Sequence, residues 1–211
     1  MIDSPQPTTP FISGEKYLIG GEILTWTGRF EKVYSPITTI DAEHPEQQKK
    51  YHIGNYAFMT EVEATAAVHA AVNAFDKGKG AWPRSATEDR IKAMEKFVDG
   101  LLKKREEIVN LLMWEICKNR SASEQEVDRT IQYIRDTIVE LKKLETEQSK
   151  LISVGGISAQ VKRSPLGVVL CIAPFNYPYN EAYTTLIPAI LMGNVVILKT
   201  PRYVVNNYIK I

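Results

Sequence analysis

Apolar residues recur every three to four positions along much of residues 61–141, whereas short continuous apolar runs dominate after residue 164. The first pattern is typical of amphipathic helices, and the second of strands that are buried in a parallel sheet. We therefore predict an α/β chain in which a mainly helical part precedes a strand–helix–strand unit.

Four helices are predicted in the helical part. The first is the alanine-rich segment Glu61–Phe75, and the second follows a capping-box pattern at Ser85 and Glu88. Gly100 weakens the second helix without ending it, and residues 105–117 continue as a third. A second capping-box pattern, Ser123 with Glu126, opens the fourth. The apolar stripe of this fourth helix, which predicts core packing, consists of Val127, Ile131, Ile134, Ile138 and Leu141.

Short strands and loops are predicted around the helices. Residues 1–10 contain three prolines and read as a loosely held arm. Residues 17–19 and 22–25 flank Gly20 and Gly21, which is a two-residue hairpin signal. The charged segment 41–50 is interpreted as a solvated loop. Residues 157–162 alternate apolar and polar side chains, as an exposed or edge strand does.

The stretch 164–201 is the most informative part of the chain. Residues 166–173 form an apolar run that predicts a strand buried on both faces, and Gly193 and residues 195–198 indicate a helix end and a second strand. Asn176 interrupts the apolar pattern between Pro174 and Pro178, where the backbone is held extended before a helix. Loops at the carboxyl ends of parallel strands are where doubly wound folds bind ligands.

Composition narrows the classes of partner. The 211 residues include 26 basic and 25 acidic side chains, a net charge of +1, which gives no electrostatic footprint for nucleic acid or an acidic membrane. Small molecules are the expected partners. Two separated cysteines do not indicate a disulfide framework, and no signal peptide or apolar run of about 18 residues is visible. We expect a soluble, cytoplasmic protein.

Several kinds of site have little support. The three histidines are not spaced as metal ligands, and no glycine-rich phosphate loop occurs, so no metal site is predicted. Cys117 is interpreted as part of an apolar helix and Cys171 as part of a buried strand, so neither is favoured as a nucleophile.

Two polar residues in the 164–201 stretch each have two interpretations. The Asn176 amide either caps a local turn or donates a hydrogen bond to an oxyanion. Lys199 ends a predicted strand, where its ammonium either reaches a ligand or lies in solvent. Thr200 and Arg202 follow directly, and offer a hydroxyl and a guanidinium to a ribose phosphate.

These residues also carry a family resemblance. The patterns P-x-G-V-x-x-x-I-x-P-F-N-Y-P and P-A-x-x-x-G-N-x-V-x-x-K run from Pro165 through Lys199, and they resemble the aldehyde dehydrogenase superfamily. Residues 127–130 and 175–178 are most similar to its NADP-dependent, non-phosphorylating glyceraldehyde-3-phosphate dehydrogenase branch. The resemblance covers nearly the whole chain to Arg202 and implies the N-terminal part of that fold, an incomplete Rossmann-like parallel sheet with preceding helices and an N-terminal hairpin.

The resemblance also divides the chain into parts. Residues 1–150 match the arm, the hairpin and the helical part of the cofactor-binding domain. Residues 151–164 match a strand segment of the oligomerisation region, so a homo-oligomer is expected. Residues 165–202 match the βαβ unit of the cofactor-binding domain, and residues 203–211, rich in poor helix formers, are interpreted as an atypical tail.

Site roles are implied position by position. Asn176 matches the family's oxyanion-hole amide, and Lys199 matches the lysine that contacts the adenosine ribose. Arg202 stands where many NAD-preferring members have glutamate, so NADP is favoured and NAD stays possible. Arg129 and Tyr177 match residues that approach the substrate in the glyceraldehyde-3-phosphate branch. Residues that match the nicotinamide side are Ile172, Pro174 and Phe175.

The implied reaction oxidises an aldehyde, such as glyceraldehyde 3-phosphate, to its acid through a cysteine thioester. The family's nucleophilic cysteine and water-activating glutamate lie in a later part of the family's chain, so the 211 residues alone are expected to be inactive. One alternative interpretation is a catalytically inactive truncated remnant or binding fragment. Another is a helical interaction module that uses the apolar stripe of residues 127–141.

Overall fold

The protein begins with two β-hairpins, continues through long helices, and ends in a strand–helix–strand unit. The computed structural model describes residues 9–40 and 48–201, so the predictions for residues 1–8, for residues 41–47 of the expected loop, for Arg202 and for the tail 203–211 lie outside the described residues. In chain order the elements are β1 Lys16–Ile19, β2 Glu22–Thr25, β3 Phe30–Ile40, β4 Gln48–Ala57, α1 Glu61–Phe75, α2 Ala81–Arg84, α3 Thr87–Ile116, α4 Arg120–Gln148, β5 Ile152–Val154, β6 Ile157–Ala159, β7 Val168–Ile172, α5 Pro178–Leu191 and β8 Val195–Lys199.

The first hairpin confirms a prediction and the second corrects one. β1 and β2 pair antiparallel across Gly20 and Gly21, both at positive φ. The β3–β4 hairpin was not predicted, and residues 48–50 belong to β4 rather than to a solvated loop. Their side chains are exposed and polar, so no alternation marked them as a strand. This hairpin buries Val33 and Ile53 against Trp114 of α3.

The long helices begin at other residues than the capping patterns predicted. α3 runs unbroken through Gly100, so the two predicted helices are one. Ser85 precedes this helix without capping it, because its hydroxyl donates to the Trp82 carbonyl at 2.7 Å. Ser123 lies inside α4, whose N-cap is Asn119, with Oδ1 accepting from the Ala122 N–H at 2.8 Å. Both serine patterns were therefore wrong as helix starts.

A capping box does occur one helix earlier. The N–H of Thr60 donates to Glu63 at 2.7 Å, and the Thr60 hydroxyl accepts from the N–H of Val62. Hydrogen bonds from Thr60 hold the pKa of the Glu63 carboxyl below its usual value. The start of α1 thus satisfies its own backbone donors locally.

The main core lies between α3, α4 and α5. Fully buried side chains from all three helices meet there, and they include Leu101, Leu112, Val127, Ile134 and Ile187. The stripe of residues 127–141 is inside this core. A helical interaction module that docks a partner on that stripe is therefore excluded by its burial.

The strand–helix–strand unit has the predicted parallel pairing but not the predicted burial. β7 and β8 pair in register from Val168 opposite Val195 to Ile172 opposite Lys199. Leu170 is 59% exposed, although it lies in the middle of a strand that was expected to be covered on both faces. Burial on both faces requires neighbouring strands and two covering layers, which the described residues do not supply to a two-stranded sheet.

Side chains from other segments close the carboxyl end of α5. The buried guanidinium of Arg90 donates from Nε to the Leu191 carbonyl at 2.8 Å, and Trp82 Nε1 donates to the Ile190 carbonyl at 3.0 Å. Burial holds the pKa of Arg90 below its usual value. A cation at a helix carboxyl end is favoured by the helix dipole, so Arg90 fixes α5 against α3.

Asn194 joins the same end of α5 to the start of β7. Its buried amide nitrogen donates to the Ala189 carbonyl at 2.9 Å. Its Oδ1 accepts from the N–H groups of Leu166 at 2.6 Å and Gly167 at 2.9 Å. One side chain therefore sets the entry of the first parallel strand relative to the end of the crossover helix.

A buried carboxylate closes the amino end of α5. Glu126 of α4 is 2% exposed, and its Oε1 accepts from the N–H groups of Tyr179 and Asn180, both at 3.1 Å. Its Oε2 pairs with the ammonium of Lys118. Helix α5 has no side-chain cap at its own N-cap residue, Tyr177, so Glu126 takes that function from a neighbouring helix.

The backbone at Cys117 yields a stability prediction. Cys117 ends α3 at φ 55, in the left-handed region that costs a residue with a Cβ about 1–2 kcal/mol. We expect Cys117→Gly to raise the free energy of unfolding by about 0.5–1 kcal/mol, after glycine's greater freedom in the unfolded chain is subtracted. Urea denaturation measures the change. The control Cys117→Ala keeps the Cβ, and an equal gain in that variant would contradict the explanation.

The cap provided by Glu126 yields a second prediction. Glu126→Gln removes the charge that offsets Lys118, so we expect a loss of about 3 kcal/mol in the free energy of unfolding, at the lower end for a broken buried pair because Lys118 retains some contact with water. The matched control is Glu124→Gln on the same helix. Its exposed pair with Arg120 should contribute less than about 0.5 kcal/mol. Equal losses in urea denaturation would contradict the buried-cap assignment.

Candidate functional site

The candidate site is built on the carboxyl edge of the two parallel strands. β7 ends at Ile172, which lies opposite Lys199 at the end of β8. The N–H of Ala173 donates to the Lys199 carbonyl at 3.1 Å, so the two chains stay paired one residue further. The segment that contains Asn176, and the segment that begins at Lys199, therefore leave the sheet side by side.

The Asn176 side chain lies at the surface of this edge. The residue is exposed, and its amide makes no hydrogen bond to any other described residue. The N-cap of α5 is the next residue, Tyr177, so Asn176 is not the N-cap residue of this helix. The Asn176 amide is an exposed donor in a loop whose two ends, Ala173 and Pro178, are buried.

The residues predicted for the cofactor side are accessible at the same edge. Ile172 is 62% exposed and Phe175 is 67% exposed, whereas Pro174 is half-buried. Lys199 is exposed and Thr200 is half-buried. An ammonium and a hydroxyl beside apolar surface suit a ribose next to a flat aromatic ring, so the donor set fits a nicotinamide cofactor.

The two predicted substrate residues lie together on the helical side of the loop. The Arg129 guanidinium carbon lies 5.6 Å from the centre of the Tyr177 ring. Its Nη2 donates to Asn180 Oδ1 at 3.3 Å, and Asn180 in turn donates to Thr130 at 3.0 Å. This arrangement leaves an exposed cation beside the amino end of α5.

Two charged residues near Asn176 were not predicted as site residues. Lys118 places its ammonium 3.7 Å from the centre of the Tyr177 ring, and it pairs with Glu126 under the loop. One sequence signal could have indicated Glu126. It directly precedes Val127, so a helix of that register places the carboxylate at the border of the apolar stripe, where a charge that becomes buried requires a partner.

Two surface hollows of about 110 and 370 Å³ lie away from this edge, at the carboxyl ends of α4 and α5, and share no lining residue with it. Across residues 9–40 and 48–201, no three potential metal ligands are grouped. Within the same ranges no helix combines the length and the low charge needed to cross a membrane.

Sequence comparison relates the chain to known proteins. The aldehyde dehydrogenase family profile matches residues 34–210. An NADP-dependent glyceraldehyde-3-phosphate dehydrogenase of Streptococcus equinus is 32% identical over 195 residues, which cover 90% of this chain and 36% of that protein. A D-glyceraldehyde dehydrogenase (NADP(+)) of Thermoplasma acidophilum is 28% identical over 187 residues, 87% of this chain and 34% of that protein.

Solved structures agree in fold. The NADP-dependent glyceraldehyde-3-phosphate dehydrogenase from Bacillus halodurans C-125, complexed with NADP, superposes with a TM-score of 0.74 at 23% identity and covers 94% of this chain and 40% of that one. An NAD-dependent benzaldehyde dehydrogenase from Corynebacterium glutamicum gives a TM-score of 0.73 at 23% identity, covering 95% of this chain and 40% of that one.

The chain thus spans a little over a third of the length of the relatives it matches. The α/β fold confirms the expected N-terminal part of this architecture, including the hairpin, the helical layer and the parallel strand pair. With a profile match over more than half of its residues and a relative of 32% identity across nearly all of it, the chain belongs to the aldehyde dehydrogenase family.

Proposed function

We propose that this chain provides the oxyanion donor and part of the cofactor site of an enzyme that oxidises an aldehyde to a carboxylic acid with NADP. One observation carries the proposal: the pairing of Ile172 with Lys199 brings the Asn176 loop and the end of β8 to one edge of the sheet. Ile172, Pro174 and Phe175, the residues proposed for the nicotinamide side, lead directly into this loop, and a hydride can pass only if the nicotinamide lies beside the carbonyl that Asn176 holds.

The chemical role of Asn176 follows from its open amide. When a nucleophile attacks the aldehyde carbon, negative charge develops on the carbonyl oxygen, and an N–H donor placed there lowers the barrier. NADP⁺, when held beside Ile172, Pro174 and Phe175, would supply the acceptor for the hydride of this carbon. Water then releases the acid from the thioester, so the overall change converts aldehyde, NADP⁺ and water into acid, NADPH and a proton.

The nucleophile is not assigned to either cysteine of this chain. Cys171 is buried within β7, and Cys117 occupies the left-handed carboxyl cap of α3. We propose that the cysteine and the glutamate of the family reaction lie outside these residues. The second candidate function is that of a binding fragment without catalysis. It is favoured by the same observation, that neither cysteine of this chain is assigned as the nucleophile.

The cofactor preference rests on residues 199–202. Lys199 and Thr200 would contact the adenosine ribose, and Arg202 would attract the 2′-phosphate that distinguishes NADP from NAD. The Streptococcus and Bacillus relatives are NADP-dependent, which supports this choice. The NAD-dependent benzaldehyde dehydrogenase keeps NAD open as the alternative.

The proposed substrate is a small aldehyde with a negative charge, such as glyceraldehyde 3-phosphate. Arg129 is exposed beside Tyr177 and uses Nη2 for Asn180, so its other guanidinium N–H groups would bind a phosphate on a substrate whose carbonyl lies at Asn176. For assembly we propose a homo-oligomer that involves the β5–β6 hairpin, since Ile152, Val154 and Ile157 are exposed along it.

Cofactor binding tests the first half of the proposal. Isothermal titration of the chain with NADP and with NAD should show tighter binding of NADP. Lys199→Met should weaken both about tenfold, the value of one charge-assisted contact, whereas the exposed control Lys162→Met should change neither. Arg202→Glu should remove the preference for NADP. Tighter binding of NAD than of NADP by the unaltered chain would contradict the cofactor assignment.

Turnover tests the second half. We expect the purified 211-residue chain to form no NADPH from NADP and glyceraldehyde 3-phosphate, measured at 340 nm, because the proposed nucleophile lies outside these residues. The control is the Cys117→Ser variant in the same assay. Turnover by the unaltered chain that disappears in Cys117→Ser would show that the nucleophile lies in this chain, and would overturn the present assignment.

A further inference from the structure

We propose that Lys118 is a positioning residue, whose charge holds the loop that contains Asn176 in one conformation. The inference rests on the proposed function for the role of Asn176 in the reaction. The contacts that support the inference do not depend on that function, because they concern only how the loop is held. They involve one ammonium, one buried carboxylate and one aromatic ring.

The side-chain amide of Asn176 is not oriented by contacts of its own. Its side chain is exposed and makes no hydrogen bond within the described ranges, and neighbouring Phe175 is 67% exposed. An oxyanion donor must nevertheless point at one place to be effective. The order of the loop has to come from the residues that flank it.

Tyr177, the residue that follows Asn176, is in contact with the Lys118 ammonium. Tyr177 is 41% exposed, and the Lys118 ammonium lies 3.7 Å from the centre of its ring. This is within the range of a favourable cation–π contact. Lys118 thus acts on the backbone one residue from the amide donor.

Lys118 also supports the start of α5, through its pair with Glu126. Glu126 accepts the N–H groups of Tyr179 and Asn180, and a charged carboxylate accepts such bonds more strongly than a neutral one. The Oε2 atom of this buried carboxylate pairs with the Lys118 ammonium, which offsets a charge that is costly to bury alone. One ammonium therefore supports both the ring at residue 177 and the helix start at residues 179 and 180.

The test compares variants that separate charge from side-chain bulk. Lys118→Met keeps the apolar stem, Lys118→Arg keeps the charge, and Lys142→Met is the control at an exposed lysine of α4. Two measurements on the full 211-residue chain need neither cofactor nor aldehyde. One is hydrogen exchange of the Tyr179 and Asn180 amides, resolved by mass spectrometry with fragmentation. The other is the rate of chymotryptic cleavage after Phe175, with cleavage after exposed Phe58 as the internal reference.

We expect Lys118→Met to accelerate both processes about tenfold or more, as loss of a buried charge-assisted contact does. Lys118→Arg should restore rates near those of the unaltered chain, and Lys142→Met should change nothing. A role of Lys118 in packing alone predicts the reverse order, with Met close to the unaltered chain. Unchanged rates in a folded Lys118→Met variant would overturn the proposal.

Tyr177→Leu keeps the test decisive if Lys118→Met does not fold. This residue is at the surface, so its replacement leaves the pair of Lys118 and Glu126 intact. We expect faster cleavage after Phe175 with unchanged exchange at Tyr179 and Asn180. Cleavage as slow as in the unaltered chain would overturn the proposal. Failure of NADP binding in the separate titration would affect the proposed function alone.

Discussion

Helix α5 is held at each end by a buried charge from another helix. Glu126 of α4 accepts the first backbone N–H groups, and Arg90 of α3 donates to the last carbonyl. Both ends of an α-helix have backbone groups without partners inside the helix, and burying those groups unpaired is costly. The two charges remove that cost and agree in sign with the helix dipole. The three core helices are thereby locked to one another.

The two buried charges at the ends of α5 also determine where the candidate site lies. α5 connects the two parallel strands, and Asn194 fixes its carboxyl end to the entry of β7. The amino end of α5, held by Glu126, sets where the Asn176 loop emerges. The exposed amide, the exposed ammonium of Lys199 and the cation of Arg129 are therefore supported by rigid elements, although each lies at the surface.

The successes and failures of sequence interpretation have a common physical origin. The stripe of residues 127–141 and the hairpin at Gly20 and Gly21 were predicted correctly, because periodicity and left-handed backbone are local properties. The serine capping patterns at Ser85 and Ser123 failed. A serine three residues before a glutamate also occurs just after a helix, as Ser85 does, or inside one, as Ser123 does, and its hydroxyl then bonds a preceding carbonyl instead. The predicted burial of β7 was wrong, because burial depends on strands and layers beyond the segment itself.

By itself, the sequence determined the α/β class, the order of helices and parallel strands, the family, and the candidate residues Asn176 and Lys199. These follow from apolar periodicity and from a motif whose spacing is written in the chain. Only the tertiary structure decided that Glu126 caps a helix more than 50 residues away, that Lys118 lies on the Tyr177 ring, and that the strand pair stays exposed. Partners of buried charges are chosen by proximity in space, and no local pattern in the sequence records that proximity.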